Sequence, residues 1–106
     1  MADISLIRVN CPSEEVAETL ASKAVELRLA ACANLEGPVR SIYRWEGRLE
    51  RDTEWVLWLK APADNWSRIE ALILEHHPHT VPAILAIPCS SVHAPYANWL
   101  AAETGE

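Results

Sequence analysis

The sequence predicts an α+β fold: an antiparallel sheet in split βαβ order, two helices covering one of its faces, and a short helix at the C-terminal end. Three observations carry this expectation. Apolar residues recur with period two in four segments and with helical spacing in two others, in the order strand, helix, strand, strand, helix, strand. Proline closes three of these segments, at Pro12, Pro62 and Pro88, where it removes a backbone donor and fixes the chain direction. Half of the 106 residues are apolar, enough for one domain over residues 1–106, which at this size buries roughly two-thirds of the unfolded chain's surface.

The elements follow in order. Ile4 and Leu6, then Ile7, Val9 and Cys11 after one change of phase, read as a strand with at least one buried face, closed by Pro12. Ser13 is placed to cap a helix whose Glu14, Glu15 and Glu18 suit its positive end. Val16, Leu20, Ala24 and Leu27 form its apolar stripe, and the helix is expected to reach about Leu29. Ala31 to Leu35 is a short apolar segment ended by Gly37-Pro38, and Val39 to Trp45 resumes an extended pattern through Ile42, Tyr43 and Trp45. Glu46-Gly47 interrupts that run. From Glu54 to Ala61, Trp55, Leu57 and Leu59 face one way while Val56 and Trp58 face the other, so both faces of this strand look covered. Trp66, Ile69, Leu72, Ile73 and His76 share one stripe of a second helix of about three turns. Pro82 to Ile87 gives the last strand, and Pro95 to Ala102 a short helix with proline near its start.

This order is that of the ferredoxin-like split βαβ, in which two helices cover one sheet face. The other face, bearing Val56 and Trp58, would leave apolar surface and unpaired edges in a monomer, so self-association is expected. Five tryptophans in so short a chain point the same way. Trp58 is expected to cover the second sheet face and, with Tyr43, Trp45 and His79, to pack at a subunit boundary.

Composition excludes several classes. Nine Lys plus Arg against fifteen Asp plus Glu give a formal net charge of -6, unsuited to a nucleic-acid backbone. No apolar run approaches the about 20 residues of a spanning helix, so no membrane partner is expected. The opening MADISLIRVN carries acid early and has no basic leader, which makes the cytoplasm the expected compartment. Cys11, Cys32 and Cys89 are odd in number and widely spaced, without a CxxC pair, and are expected to be reduced thiols. The apolar context of Cys32 suggests packing, whereas Cys11, just before a helix N-terminus, could carry a reactive or ligating thiolate. Phosphate-binding glycine loops, HExxH and G-x-S-x-G are absent from the sequence, and no enzymatic activity is expected.

Three of the four histidines lie in His76-His77-Pro78-His79. Copper and zinc accept imidazole, but several ligands must converge at about 2 Å. On a helix His76 and His77 would point about 100° apart, and Pro78 turns His77 away from helical geometry. His77 and His79, alternate residues of an extended segment, make the easier pair; a third ligand would come from Cys11, a carboxylate such as Glu46, or another subunit. His76 suits the last turn of a helix, and His93 a loop.

The motifs CPSEEVAETLA (11–21), RLAACANL (28–35), YRWEG (43–47), HPHTVP (77–82) and YANWL (96–100) occur in the order and spacing of the CutA divalent-cation tolerance proteins, and the chain resembles that family over nearly its whole length. The resemblance implies a ferredoxin-like subunit of a homotrimer, with strands pairing across subunit boundaries, and a role in tolerance of or response to divalent metals. It further implies weak binding of copper or another divalent ion at His76 and His77 with a cysteine. The family's cysteine stands where this chain has Val9; Cys11 is the nearest counterpart, in the CPSE motif. The usual HPYEVPEI reads HPHTVPAI here, exchanging an aromatic ring for His79 and two carboxylates for Thr80 and Ala83. A reading of another class is a trimeric signalling or scaffold module that binds a small ligand or a protein partner in clefts between subunits.

Overall fold

A computed structural model describes residues 3–105. Its sheet contains β1 (Ile4–Cys11), β2 (Cys32–Trp45), β3 (Arg48–Pro62) and β4 (Ile84–Pro88), in the spatial order β2-β3-β1-β4 with every neighbouring pair antiparallel. The helices are α1 (Glu14–Glu26), α2 (Trp66–His76), entered through a single 3-10 turn, and α3 (Ala94–Glu103). This is the expected α+β ferredoxin-like arrangement with a short C-terminal helix.

The phase change in β1 has a simple basis. Ile7, Val9 and Cys11 face α1 and α2, packed with Leu57, Leu59 and Ala61 of β3 against Ala17, Leu20 and Ile73. Ile4 belongs to the opposite face, where Ala97 and Leu100 of α3 cover it. Val56 and Trp58 lie on that second face, level with Asn10 and Arg8. Val56 is buried, and the Arg8 guanidinium sits 5.4 Å from the centre of the Trp58 ring, a cation–π contact.

Helix α1 begins as expected, with Ser13 Oγ accepting the Val16 N–H at 3.2 Å. It stops three residues before Leu29. Arg28 adopts φ of 61°, and the Leu29 and Ala30 amides both turn back to the Ala24 carbonyl, which closes the helix.

The strands around Gly37-Pro38 are longer than expected. β2 is one strand of 14 residues and β3 one of 15. The Gly37-Pro38 peptide is cis and falls in a register shift between Glu36 and Val39, so the ladder resumes beyond the proline instead of ending there. Only glycine fits at this bulge, because a Cβ on Gly37 would lie 2.6 Å from the Trp55 ring. Beyond it, residues 39–54 form a hairpin that carries no helix on either face, turning through Glu46 (φ 51°) and Gly47 (φ 78°). β4 begins at Ile84, two residues later than expected, and α3 extends one residue beyond the expected range at each end.

Candidate functional site

The histidine segment sits where α2 gives way to the approach to β4. His76 ends α2 on the exposed side, its Nε2 3.9 Å from Glu75. His77 already has extended geometry (ψ 132°), as the following proline requires, and its ring turns inward, where the residue is only 6 % exposed. Both ring nitrogens are engaged there. Nδ1 accepts the His79 N–H at 3.1 Å, so the proton resides on Nε2, which donates to the Asn10 carbonyl at 2.8 Å. The Asn10 amide donates to Ala83 O, and the carbonyl, which a continuing ladder would pair with a strand amide, takes the imidazole instead. His77 thereby completes the edge of β1 beyond the start of β4.

His79 is exposed, its ring centre 4.9 Å from that of His77 and inclined by 55°. The pairing of these alternate residues is as the extended segment suggested. Cys11 lies inside the helix-facing core with no exposure, its Sγ 4.0 Å from Val9 O. Burial, and secondarily the Glu54 carboxylate, push its thiol up to about 11. The thiolate anticipated from its place before a helix is therefore disfavoured, since the loss of solvation outweighs the helix amides. His76, His77 and Cys11 do not converge: among the described residues no group of three or more His, Cys, Asp or Glu side chains is placed to hold a metal ion. A chelate using His77 would have to break one of its two hydrogen bonds, and one using Cys11 would need a buried thiol to ionise. These two residues do not fit a metal site in this conformation; His76 alone of the three presents its ring at the surface.

The other cysteines are also free thiols, half-buried rather than fully packed in the case of Cys32. His93 precedes α3 and is exposed, as a loop histidine should be.

Beside the histidine segment a cleft of about 720 Å³ opens between the hairpin and residues 78–83. Its walls include Tyr43, Trp45, His79 and Val81, with Asn10 and Glu54 at the base of the hairpin. Asn10 Nδ2 donates to Glu54 Oε1 at 3.3 Å. The Tyr43 hydroxyl donates to Asp52, and this bond, with some desolvation and the negative charges of Asp52, Glu50 and Glu54, raises its pKa to about 12. Trp58 stands apart from this cleft, its Nε1 donating to Glu36 on the same sheet face. Of the residues expected at a subunit boundary, three thus share one cleft and one does not.

Asn10 and Glu54 were missed by sequence reasoning. Glu54 reads as one of four solvated hairpin acids, and nothing local distinguishes it. Asn10 likewise does not stand out, being one of three polar residues, with Ser5 and Arg8, in β1.

A family model, CutA1 divalent ion tolerance protein, matches residues 5–103. The chain belongs to the CutA1 family. It is 41% identical over 105 residues to the divalent-cation tolerance protein CutA of Thermus thermophilus, covering 99% of this chain and 100% of that protein. It is 35% identical over 97 residues to human protein CutA, covering 92% of this chain and 54% of the human protein. The solved CutA1 structure from Thermus thermophilus superposes with a TM-score of 0.93 at 38% identity, over 96% of this chain and 99% of that one. CutA1 from Oryza sativa gives 0.95 at 28% identity, over 99% and 96%. Membership connects the chain with divalent-cation tolerance, the property for which the family is named. Among the described residues no helix is long and apolar enough to cross a membrane.

Proposed function

We propose that this CutA1-family chain acts in divalent-cation tolerance as a non-enzymatic, cytoplasmic homotrimer that binds copper or another divalent ion weakly, with His76 as the reachable member of the His76 and His77 pair. The observation that carries the assembly is the pair of open sheet edges. β2 and β4 lie at opposite ends of the strand order, each has a neighbour on one side only, and both carry exposed apolar residues, Ile42 and Trp45 on β2, Leu85 and Ile87 on β4. Unpaired edges of this kind invite strand addition, and joining two different edges between copies builds a ring when the rotation between neighbours closes. Weak binding accords with the few donors at His76, where one imidazole and the neighbouring Glu75 carboxylate stand at the end of α2.

Light scattering and sedimentation over a dilution series test the assembly, with a persistent trimer the expected result and a monomer at micromolar concentration the contrary one. Copper titration of chelator-stripped wild type and His76→Ala tests the metal part; equal affinity in the two proteins removes His76 from it.

The second reading, a trimeric signalling or scaffold module taking a small ligand or protein partner, draws on the cleft, whose volume lies within the range of small-molecule pockets. It requires the cleft to remain open in the assembly.

A further inference from the structure

The C-terminal ends of α1 and α3 meet through one residue. Arg28, which closes α1, has left-handed geometry with φ of 61°, a place that glycine takes most readily because it has no Cβ to crowd the following carbonyl. Its remote contacts account for an arginine here. The guanidinium Nη2 donates to the Ala102 carbonyl at 2.8 Å, and the Arg28 carbonyl accepts the Gly105 N–H at 3.0 Å. Both bonds reach the end of α3. That helix has few other supports. It is 10 residues long, too short to hold its shape alone. Its N-cap, His93, makes no side-chain bond to it, its first turn carries no acid and its last turn no base, while Glu103 stands at the negative end of its dipole. Thr104 Oγ1 donates to the Leu100 carbonyl at 2.9 Å, and Lys60 Nζ lies 5.7 Å from the centre of the Tyr96 ring. Its buried side chains are those of Ala97 and Leu100, packed on Ile4.

We propose that α3 is a strap that opens and closes as a unit on the second sheet face, with Arg28 as its latch. The two sheet faces differ in what holds their helices. α1 and α2 are tied down by a core that includes Leu20, Ile69 and Ile73 of their own and Leu57 and Leu59 of β3. α3 offers the sheet one alanine and one leucine. An element with so little buried apolar surface opens at a lower free energy than the core, and so is released without unfolding the sheet. Arg28 opposes that release. Its charge supplies the cation that the last turn of α3 lacks, and its guanidinium pairs with a carbonyl that the helix itself leaves without an amide. A hydrogen bond from a charged donor is stronger than a neutral one. Opening uncovers Ile4 and the thiol of Cys89, which packs against the same small cluster.

Arg28→Gly tests it, because local preference and the latch predict opposite signs. Glycine suits a φ of 61° and eases the turn that ends α1, while the guanidinium is lost. On the full chain, hydrogen exchange at the α3 amides and iodoacetamide labelling of Cys89 are expected to quicken by about tenfold or more. The β1 amides and the Cys11 thiol, which lie in the helix-facing core, are expected to stay as protected as in the wild type. Unchanged exchange in α3 overturns the latch. Equal quickening in α3 and β1 overturns the strap, since the whole fold is then opening. Should Arg28→Gly fail to fold, the wild type decides: its α3 amides must exchange faster than those of β1 once corrected for intrinsic rates, and equal protection is the contrary result.

Discussion

The two longest strands each belong to two different environments. Within the body of the sheet, Leu57 and Leu59 of β3 are wholly buried beneath α1 and α2. A few residues earlier on the same strand, Leu49 is 55% exposed in a hairpin that no helix covers. Both stretches alternate and both are rich in apolar and aromatic side chains, so strand pattern alone does not separate a buried core from an exposed hairpin. What separates them is the reach of the helices: α1 and α2 pack over the body, and beyond the Gly37-Pro38 bulge the chain continues without them. The body is stabilised by its own contacts, and the hairpin leaves its apolar side chains exposed.

Matched substitutions break or sharpen that contrast. Leu57→Ala should have the largest effect, a loss of about 2–5 kcal/mol in denaturant unfolding, because it leaves a cavity under both helices. At the junction, Gly37→Ala should cost about 1–3 kcal/mol, since its methyl group would overlap the Trp55 ring; thermal unfolding of normal cooperativity and unchanged midpoint would show that the bulge can move aside.

His77→Ala should lose about 1–3 kcal/mol by stranding the Asn10 carbonyl and the His79 amide, whereas the exposed His76→Ala should fall within about 0.5 kcal/mol of wild type. Equal unfolding midpoints for the two variants would remove His77 from its structural place at the edge of β1. Cys11 adds a pH-dependent contribution. Its thiol ionises at about 11 in the fold against 9.0 ordinarily, so the native state holds the proton more tightly than the unfolded chain. That stability is present in full below pH 9 and is lost as pH rises towards 11, a decline that Cys11→Ala should flatten in unfolding measured across this range. At pH 8, iodoacetamide should label the half-buried Cys32 and Cys89 well before Cys11, as peptide mass spectrometry can read.

Leu49→Ala, the same chemical change as Leu57→Ala on the same strand, should be the mildest. Measured on protein dilute enough to be monomeric, it should alter unfolding by no more than about 0.5 kcal/mol. A loss comparable to that of Leu57→Ala would erase the distinction between body and hairpin.

By itself the sequence determined what short-range rules govern: β1 from Ile4 to Cys11, the Ser13 cap, the end of α2 at His76 ahead of Pro78, the order of elements and the motifs of the CutA1 family. These depend on side-chain period, capping chemistry and the missing proline donor, all properties of neighbouring residues. Tertiary structure decided the rest. Gly37-Pro38 reads locally as a stop, and β2 passes through it because β3 supplies a ladder on both sides and the Trp55 ring fills the space a side chain would need. His77 reads as a ligand, and its ring is instead committed to a carbonyl 67 residues away in β1. Cys11 reads as an activated thiol, and burial beneath two helices keeps its proton on. In each case the deciding partner is remote in the chain, and its desolvation or steric demand outweighs the local preference.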